Sequence, residues 1–179
     1  TILDLRGQSG LAVGSVGSTS STAVIKNFSL ATNATLVTGA DGTDAAFAGA
    51  LGSDYTTGQL SLTKIGAGSW TLTADNSGNI LNQLQINGGS VVLSGASAKV
   101  GFITTILGEG GALTLDNSAN ALSNRMGGAM SVQSTTNDRV LSLRGGILNF
   151  LGARCEQGSQ GLRRWFERII DFIDAPRFL

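Results

Sequence analysis

The feature that most constrains this chain is a short strand-and-turn pattern that recurs along it. Residues 60–73 alternate apolar residues with small hydroxyl residues around a Gly-x-Gly, and an Asp-Asn-Ser corner follows at Asp75. Residues 108–120 repeat the Gly-x-Gly, a Leu-Thr-Leu core and an Asp-Asn-Ser corner at Asp116. A period of two indicates strands, and Gly, Asn and Asp mark turns. Because so short a unit cannot bury its apolar face alone, the repetition predicts a solenoid of stacked coils.

A second pair of segments supports the same architecture. Residues 86–95 match residues 143–152, each with a Gly-Gly followed by alternating apolar residues. We therefore predict an all-β, right-handed parallel β-helix over residues 1–153. With about 20 to 25 residues in each coil, this segment is expected to form about six or seven coils. Leu, Val and Ile are expected to form an inner apolar column, and four corner residues are expected to stack as polar ladders: Asn76, Asn79, Asn117 and Asn120.

The repeat also resembles a known family. Residues 62–72 read Leu-Thr-Lys-Ile-Gly-Ala-Gly-Ser-Trp-Thr-Leu, and an Asn-rich corner and Asn-Gly-Gly-Ser-Val-Val-Leu at residues 87–93 follow. This order resembles the autotransporter-associated β-strand repeat, and the resemblance covers about residues 11–152. It implies a parallel β-helix in the passenger region of a bacterial autotransporter. The chain is then expected to be a fragment of a longer repeat array.

The resemblance implies a function as well as a fold. It suggests a non-enzymatic stalk or adhesin segment, exported by type V secretion and associated with virulence. Such a passenger is displayed at the cell surface or secreted, and is anchored to the outer membrane through a domain absent from this chain. The implied partners are an outer-membrane β-barrel translocator, a host-surface protein or glycan, or a second passenger. The family motif contains no catalytic residues, so it implies no catalytic, cofactor or metal site.

Composition excludes several classes of function. The formal net charge is zero, which gives no electrostatic footprint for nucleic acid. The chain has no histidine, which removes Ser-His-Asp and Cys-His catalysis and His-ligated zinc. Cys155 is the single cysteine, so no intrachain disulfide forms. The Gly66-Ala67-Gly68 turn lacks the Lys and Ser or Thr of a phosphate-binding loop. We predict no cofactor.

One acidic turn is a candidate calcium site. Residues 39–46, with Asp41 and Asp44, loosely follow the glycine- and aspartate-containing nonapeptide of calcium-binding β-rolls. This is one degenerate copy, with Ala40 in place of a Gly and Ala46 in place of a large apolar residue. Calcium rolls need successive copies to surround each ion. The segment therefore favours a solvated turn over a metal site.

A carbohydrate-active enzyme is the alternative function. Polysaccharide lyases and hydrolases also use parallel β-helices, as do tail-spike-like glycan binders. In this chain Asp75, Asp116, Lys64 and Arg144 are the residues that would line such a groove. The two aspartates lie in Asp-Asn-Ser corners, where side chains usually bond their own backbone. The pattern therefore favours a structural role for both carboxylates.

The chain changes character at about residue 153. Charged residues number 15 in residues 1–153 and 9 in the 26 residues of 154–179. The tail has apolar residues at three- and four-residue spacing, which predicts an amphipathic helix: Leu162, Trp165, Phe166, Ile169, Ile170, Phe172 and Ile173. Three interpretations stay open. The helix caps the end of the solenoid, or binds a membrane surface or partner, or is an out-of-frame translation product.

Overall fold

The regular structure of the described residues consists of β-strands. The computed structural model describes residues 1–53, 58–122, 124–127, 130–131 and 139–152, and this part contains no helix. It contains the strands β1 (Ile2–Asp4), β2 (Ser9–Ala12), β3 (Val24–Asn27), β4 (Ala34–Thr38), β5 (Ala45–Phe47), β6 (Ala50–Ser53), β7 (Leu60–Lys64), β8 (Ser69–Leu72), β9 (Asp75–Ile86), β10 (Gly89–Leu93), β11 (Lys99–Leu107), β12 (Gly111–Asp116), β13 (Met130–Ser131), β14 (Arg139–Leu143) and β15 (Ile147–Leu151).

These strands form three parallel sheets. The first sheet has the order β1-β3-β6, the second β13-β14-β11-β9-β7-β4-β2, and the third β15-β12-β10-β8-β5. The chain visits the three sheets in rotation as far as β8 and afterwards alternates between the second and the third, so that neighbouring strands in a sheet come from successive turns. The described residues thus form a parallel β-solenoid with four complete turns, which are β3–β5, β6–β8, β9–β10 and β11–β12. This confirms the all-β solenoid predicted from the repeat.

The register gives the length of a turn. Lys64 pairs with Ile86 and Ile86 with Leu107, so these two turns take 22 and 21 residues, within the predicted range. Leu107 then pairs with Leu143, an offset of 36 residues. Because this later turn is longer and the turns at both ends are partial, the described residues contain fewer complete turns than the predicted six or seven.

The two repeated segments align in the third sheet as the sequence indicates. Trp70 pairs with Val91, Val91 with Leu113, and Leu113 with Leu148. The first three of these side chains are at most 1% exposed. Each large apolar side chain buried in this way contributes about 1.5 to 3 kcal/mol, so the inner column is the main source of stability.

The predicted asparagine ladders are wrong. The Asn76 Oδ1 atom accepts a hydrogen bond from the backbone of Leu51 at 2.8 Å, while the Asn117 Oδ1 atom accepts one from the Arg125 Nε atom at 2.6 Å. The two corners are out of register, because Asp75 follows the paired Leu72 by three residues whereas Asp116 directly follows Leu115. Residues that match in the repeat sequence therefore occupy different positions in the turn.

The predicted tail lies outside the described residues. The described chain ends at Gly152, immediately after β15. The amphipathic helix predicted for residues 154–179, in each of its three interpretations, stays a prediction.

Candidate functional site

Glycines let successive turns approach closely at the corner between the second and third sheets. We call Gly39, Gly42, Gly66, Gly68 and Gly89 the glycine corner. A Cβ atom on Gly66 would lie 2.0 Å from the carbonyl oxygen of Gly39, and one on Gly89 would lie 2.3 Å from that of Gly68. Gly66 and Gly89 also have positive φ angles of 70° and 59°, a region that other residues rarely adopt. The corner therefore requires glycine for two separate reasons.

Lys64 is buried beneath the glycine corner. Its side chain is 1% exposed, and the Nζ atom donates hydrogen bonds to the carbonyl oxygens of Ile65 at 2.6 Å and Gly66 at 3.1 Å. Burial lowers the pKa of Lys64 below its ordinary value of 10.5, while the charges of Asp41 and Asp44 oppose that change. The ammonium group thus satisfies backbone carbonyls that have no strand partner at the turn.

The two carboxylates of the acidic turn bond to different turns of the solenoid. Asp41 accepts hydrogen bonds from the Ser15 hydroxyl at 2.7 Å and the Ser15 backbone at 2.8 Å, which hold its pKa far below the ordinary value. Asp44 accepts from the backbone and hydroxyl of Ser69 at 2.7 and 3.0 Å, and these bonds also lower its pKa. Their donors belong to the turns on either side. The two carboxylates therefore link neighbouring turns through hydrogen bonds.

The Asp-Asn-Ser segments form what we call the aspartate corner, defined by Asp75 with Ser77 and by Asp116 with Ser118. In each pair the serine backbone and hydroxyl both donate to the aspartate Oδ1 atom, at 3.0 and 2.6 Å in the first and 2.9 and 2.5 Å in the second. The Ser118 bonds and a further bond from the Ser94 hydroxyl lower the pKa of Asp116 to about 2. These local bonds agree with the turn-forming role predicted from the sequence.

Arg125 is a buried cation that the sequence analysis missed. Its side chain is 3% exposed, and it donates to the Asn117 side chain and to the carbonyl oxygens of Ala98, Gly95 and Asn120 at 2.6 to 3.2 Å. Burial lowers the pKa of its guanidinium. The one available signal was an isolated arginine in an Asn- and Ser-rich turn, a pattern too common to identify a buried cation.

The four residues considered for a catalytic groove do not gather around one surface. Lys64 is enclosed by carbonyls, and Asp75 forms an ion pair with Lys99 at 3.6 Å in addition to its serine bonds. Asp116 is bonded to two serines, and the exposed Arg144 has its Nε atom 3.4 Å from the Ser142 hydroxyl. Each group therefore has a separate structural environment.

The described part of the chain contains no group of three or more His, Cys, Asp or Glu side chains arranged to hold a metal ion. None of its segments is a helix of the length and hydrophobicity that crossing a membrane requires.

Comparison with known proteins gave no relative. No protein-family model matches the chain, and no curated protein and no solved structure is similar to it.

Proposed function

We propose that this chain is a non-enzymatic structural segment of a bacterial autotransporter passenger, acting as a stalk or adhesin. The proposal rests on the repeat, because its apolar positions fall in one column through Trp70, Val91, Leu113 and Leu148. A column of this kind extends by adding turns. The same repeated motif therefore produces a rod whose length is set by the number of repeats. The fold is then a right-handed parallel β-helix that presents side chains at a distance from the cell.

The charged residues support a structural role. Lys64 and Arg125 satisfy corner carbonyls, and Asp41, Asp44 and Asp116 accept bonds from serines of their own or neighbouring turns. A general acid or base needs a pKa near the working pH and a path to a substrate. A carboxylate whose pKa is lowered by several donors does not suit the role of a general acid. It does not suit a pair of carboxylates that share one proton either.

Surface display is the property to test first. The open reading frame that contains this chain is expected to encode an outer-membrane barrel of alternating strands, which acts as the translocator. In a strain expressing that full protein with an epitope tag in the passenger, protease added to intact cells should remove the tag. The matched control is the same gene without its barrel, in which the tag should stay protected. A tag that is protected in both strains would refute the autotransporter assignment.

Polysaccharide turnover separates the stalk from the carbohydrate-active enzyme. The stalk predicts no turnover of bacterial or host polysaccharides by the purified chain. Turnover that is abolished by Asp75→Asn or Asp116→Asn, with an unchanged far-UV circular dichroism spectrum, would instead establish the enzyme. Binding of a glycan without turnover is compatible with an adhesin and would identify its ligand class.

A further inference from the structure

The inward-facing apolar side chains of the second sheet become exposed at the last turn. Ile86, Leu107 and Leu143 are consecutive partners in the second sheet. The first two are fully buried, whereas the side chain of Leu143 is 45% exposed. The residue types barely change between these three positions. The difference therefore comes from the position in the stack, since the described strand beyond β14 is β13, which pairs only with Arg139 and Val140.

The outer positions of the last turn are also unusually apolar. Ile147 pairs with Ala112, and Leu151 pairs with Asp116. Ile147 is 59% exposed and Leu151 is 52% exposed, so two large aliphatic side chains replace a small residue and a charged one. A solvated final turn would instead keep polar residues at these positions, as capping repeats do. We call Leu143, Ile147 and Leu151 the terminal apolar patch.

The terminal apolar patch lies partly on β15, which is the last described strand in the order of the third sheet and is bonded to β12. A long apolar edge strand is a site of aggregation unless a helix, a loop or charged residues protect it. The described residues of β15 are Ile147, Leu148, Asn149, Phe150 and Leu151, which include no charge.

We propose that the terminal apolar patch is the docking site for residues 162–173 of the same chain. The described chain leaves β15 at Gly152, and Leu162 follows ten residues later. Ten extended residues span up to about 33 Å, enough to fold back over the end of a solenoid. In residues 162–173 apolar residues recur at helical spacing, with charged residues between them. This inference is independent of the proposed function, because a stalk and an enzyme both need a protected end.

The native tryptophans provide the test. The chain has two, Trp70 and Trp165, and Trp70 is 1% exposed in the inner column. Any fluorescence that acrylamide quenches readily therefore reports Trp165. In the full chain we expect both tryptophans to resist quenching. The double variant Leu143→Asp with Ile147→Asp should release Trp165 and raise the quenching constant severalfold, with the β-sheet circular dichroism spectrum retained.

The matched control is Ile103→Asp, because Ile103 in β11 is 44% exposed and lies outside the terminal apolar patch. This variant should leave the quenching of Trp165 unchanged. A readily quenched Trp165 in the unmodified chain would overturn the proposal, as expected for an out-of-frame tail, and this result does not depend on the folding of any variant. Protection that disappears on dilution would also overturn it, by identifying a second copy of the chain as the occupant.

Discussion

The two kinds of corner solve the same problem, the reversal of the backbone between strands, by different means. At the glycine corner successive turns touch through their backbones, as the 2.0 Å approach of a Cβ atom on Gly66 to the Gly39 carbonyl demonstrates. At the aspartate corner each turn is shaped mainly by a carboxylate and a serine two residues later, such as Asp116 and Ser118. The first corner depends on the neighbouring turn, whereas the second is largely local.

This contrast explains how the repeat tolerates variation. The aspartate corner shifts by two residues between Asp75 and Asp116 without loss of its serine bonds, because the bonds move with the segment. The glycine corner has no such freedom, since a Cβ atom on any of its members except Gly42 would lie 2.0 to 2.4 Å from a carbonyl oxygen of a neighbouring turn. Both corners still need a buried cation, Lys64 at one and Arg125 at the other, because tight turns leave carbonyl groups without strand partners.

The largest expected effect is a loss of stability at the glycine corner. Two of its glycines separate the cost of a close backbone approach from the cost of a left-handed backbone conformation. Gly66 and Gly42 have nearly the same φ, 70° and 69°, but the nearest atom to a Cβ on Gly42 is 3.9 Å away. Gly42→Ala should therefore cost about 1 to 2 kcal/mol from the left-handed conformation alone. Gly66→Ala should add about 1 to 3 kcal/mol for the clash with the Gly39 carbonyl. Urea unfolding midpoints measure both values, and equal losses would refute the close-approach argument.

An intermediate effect tests the buried cations. Arg125→Met and Lys64→Met keep the aliphatic bulk but leave carbonyl groups unsatisfied, so each variant should lose about 1 to 3 kcal/mol. Arg125→Met should be the more damaging because Arg125 makes bonds to four acceptors and Lys64 makes short bonds to two.

Lys99→Met provides the control for these two variants. Lys99 forms a solvent-accessible ion pair with Asp75, and such pairs contribute about 1 kcal/mol or less. Thermal unfolding of the three variants should rank them in this order. A loss for Lys99→Met as large as that for Lys64→Met would mean that burial of the ammonium group is irrelevant.

The smallest effect is a pH dependence at the aspartate corner. The pKa of Asp116 is about 2 in the folded chain, chiefly because the Ser118 hydroxyl and backbone donate to it, against an ordinary value of 3.8. The unfolded chain therefore binds this proton more readily. The stabilisation is complete above about pH 4 and is lost as the pH falls towards 2. Solvent screening should keep the contribution under about 1 kcal/mol.

Asp116→Asn should remove that part of the acid dependence. The measurement is the urea midpoint between pH 5 and 2 for the variant and the unmodified chain. The two curves should converge at the acid end and separate above about pH 4. A constant separation throughout the range would show that Asp116 acts without regard to its charge.

Periodicity in the sequence predicted the solenoid and its stacked strands. Alternation puts Trp70, Val91, Leu113 and Leu148 on the apolar face of their strands, because side chains two residues apart share a face. Their pairing in one column came from the tertiary structure. The turn-forming role of Asp75 and Asp116 was also predictable, since an aspartate bonds to residues close to it in sequence. The predicted asparagine ladders do not form, because two copies of the same motif can lie at different positions in the turn.

Only the tertiary structure decided which polar residues become buried. Lys64 and Arg125 resemble ordinary surface cations in the sequence, yet they are 1% and 3% exposed. The position of Arg125 follows from carbonyl groups of residues up to 30 positions away, such as Gly95, whereas Lys64 bonds chiefly to the carbonyls of the two residues that follow it. Likewise Leu107 and Leu143 are identical residues in one column, and one is buried while the other is exposed. The alternation of apolar residues depends on neighbours within a strand, so it can be recognised in the sequence. The burial of a side chain depends on whether another turn is stacked above it.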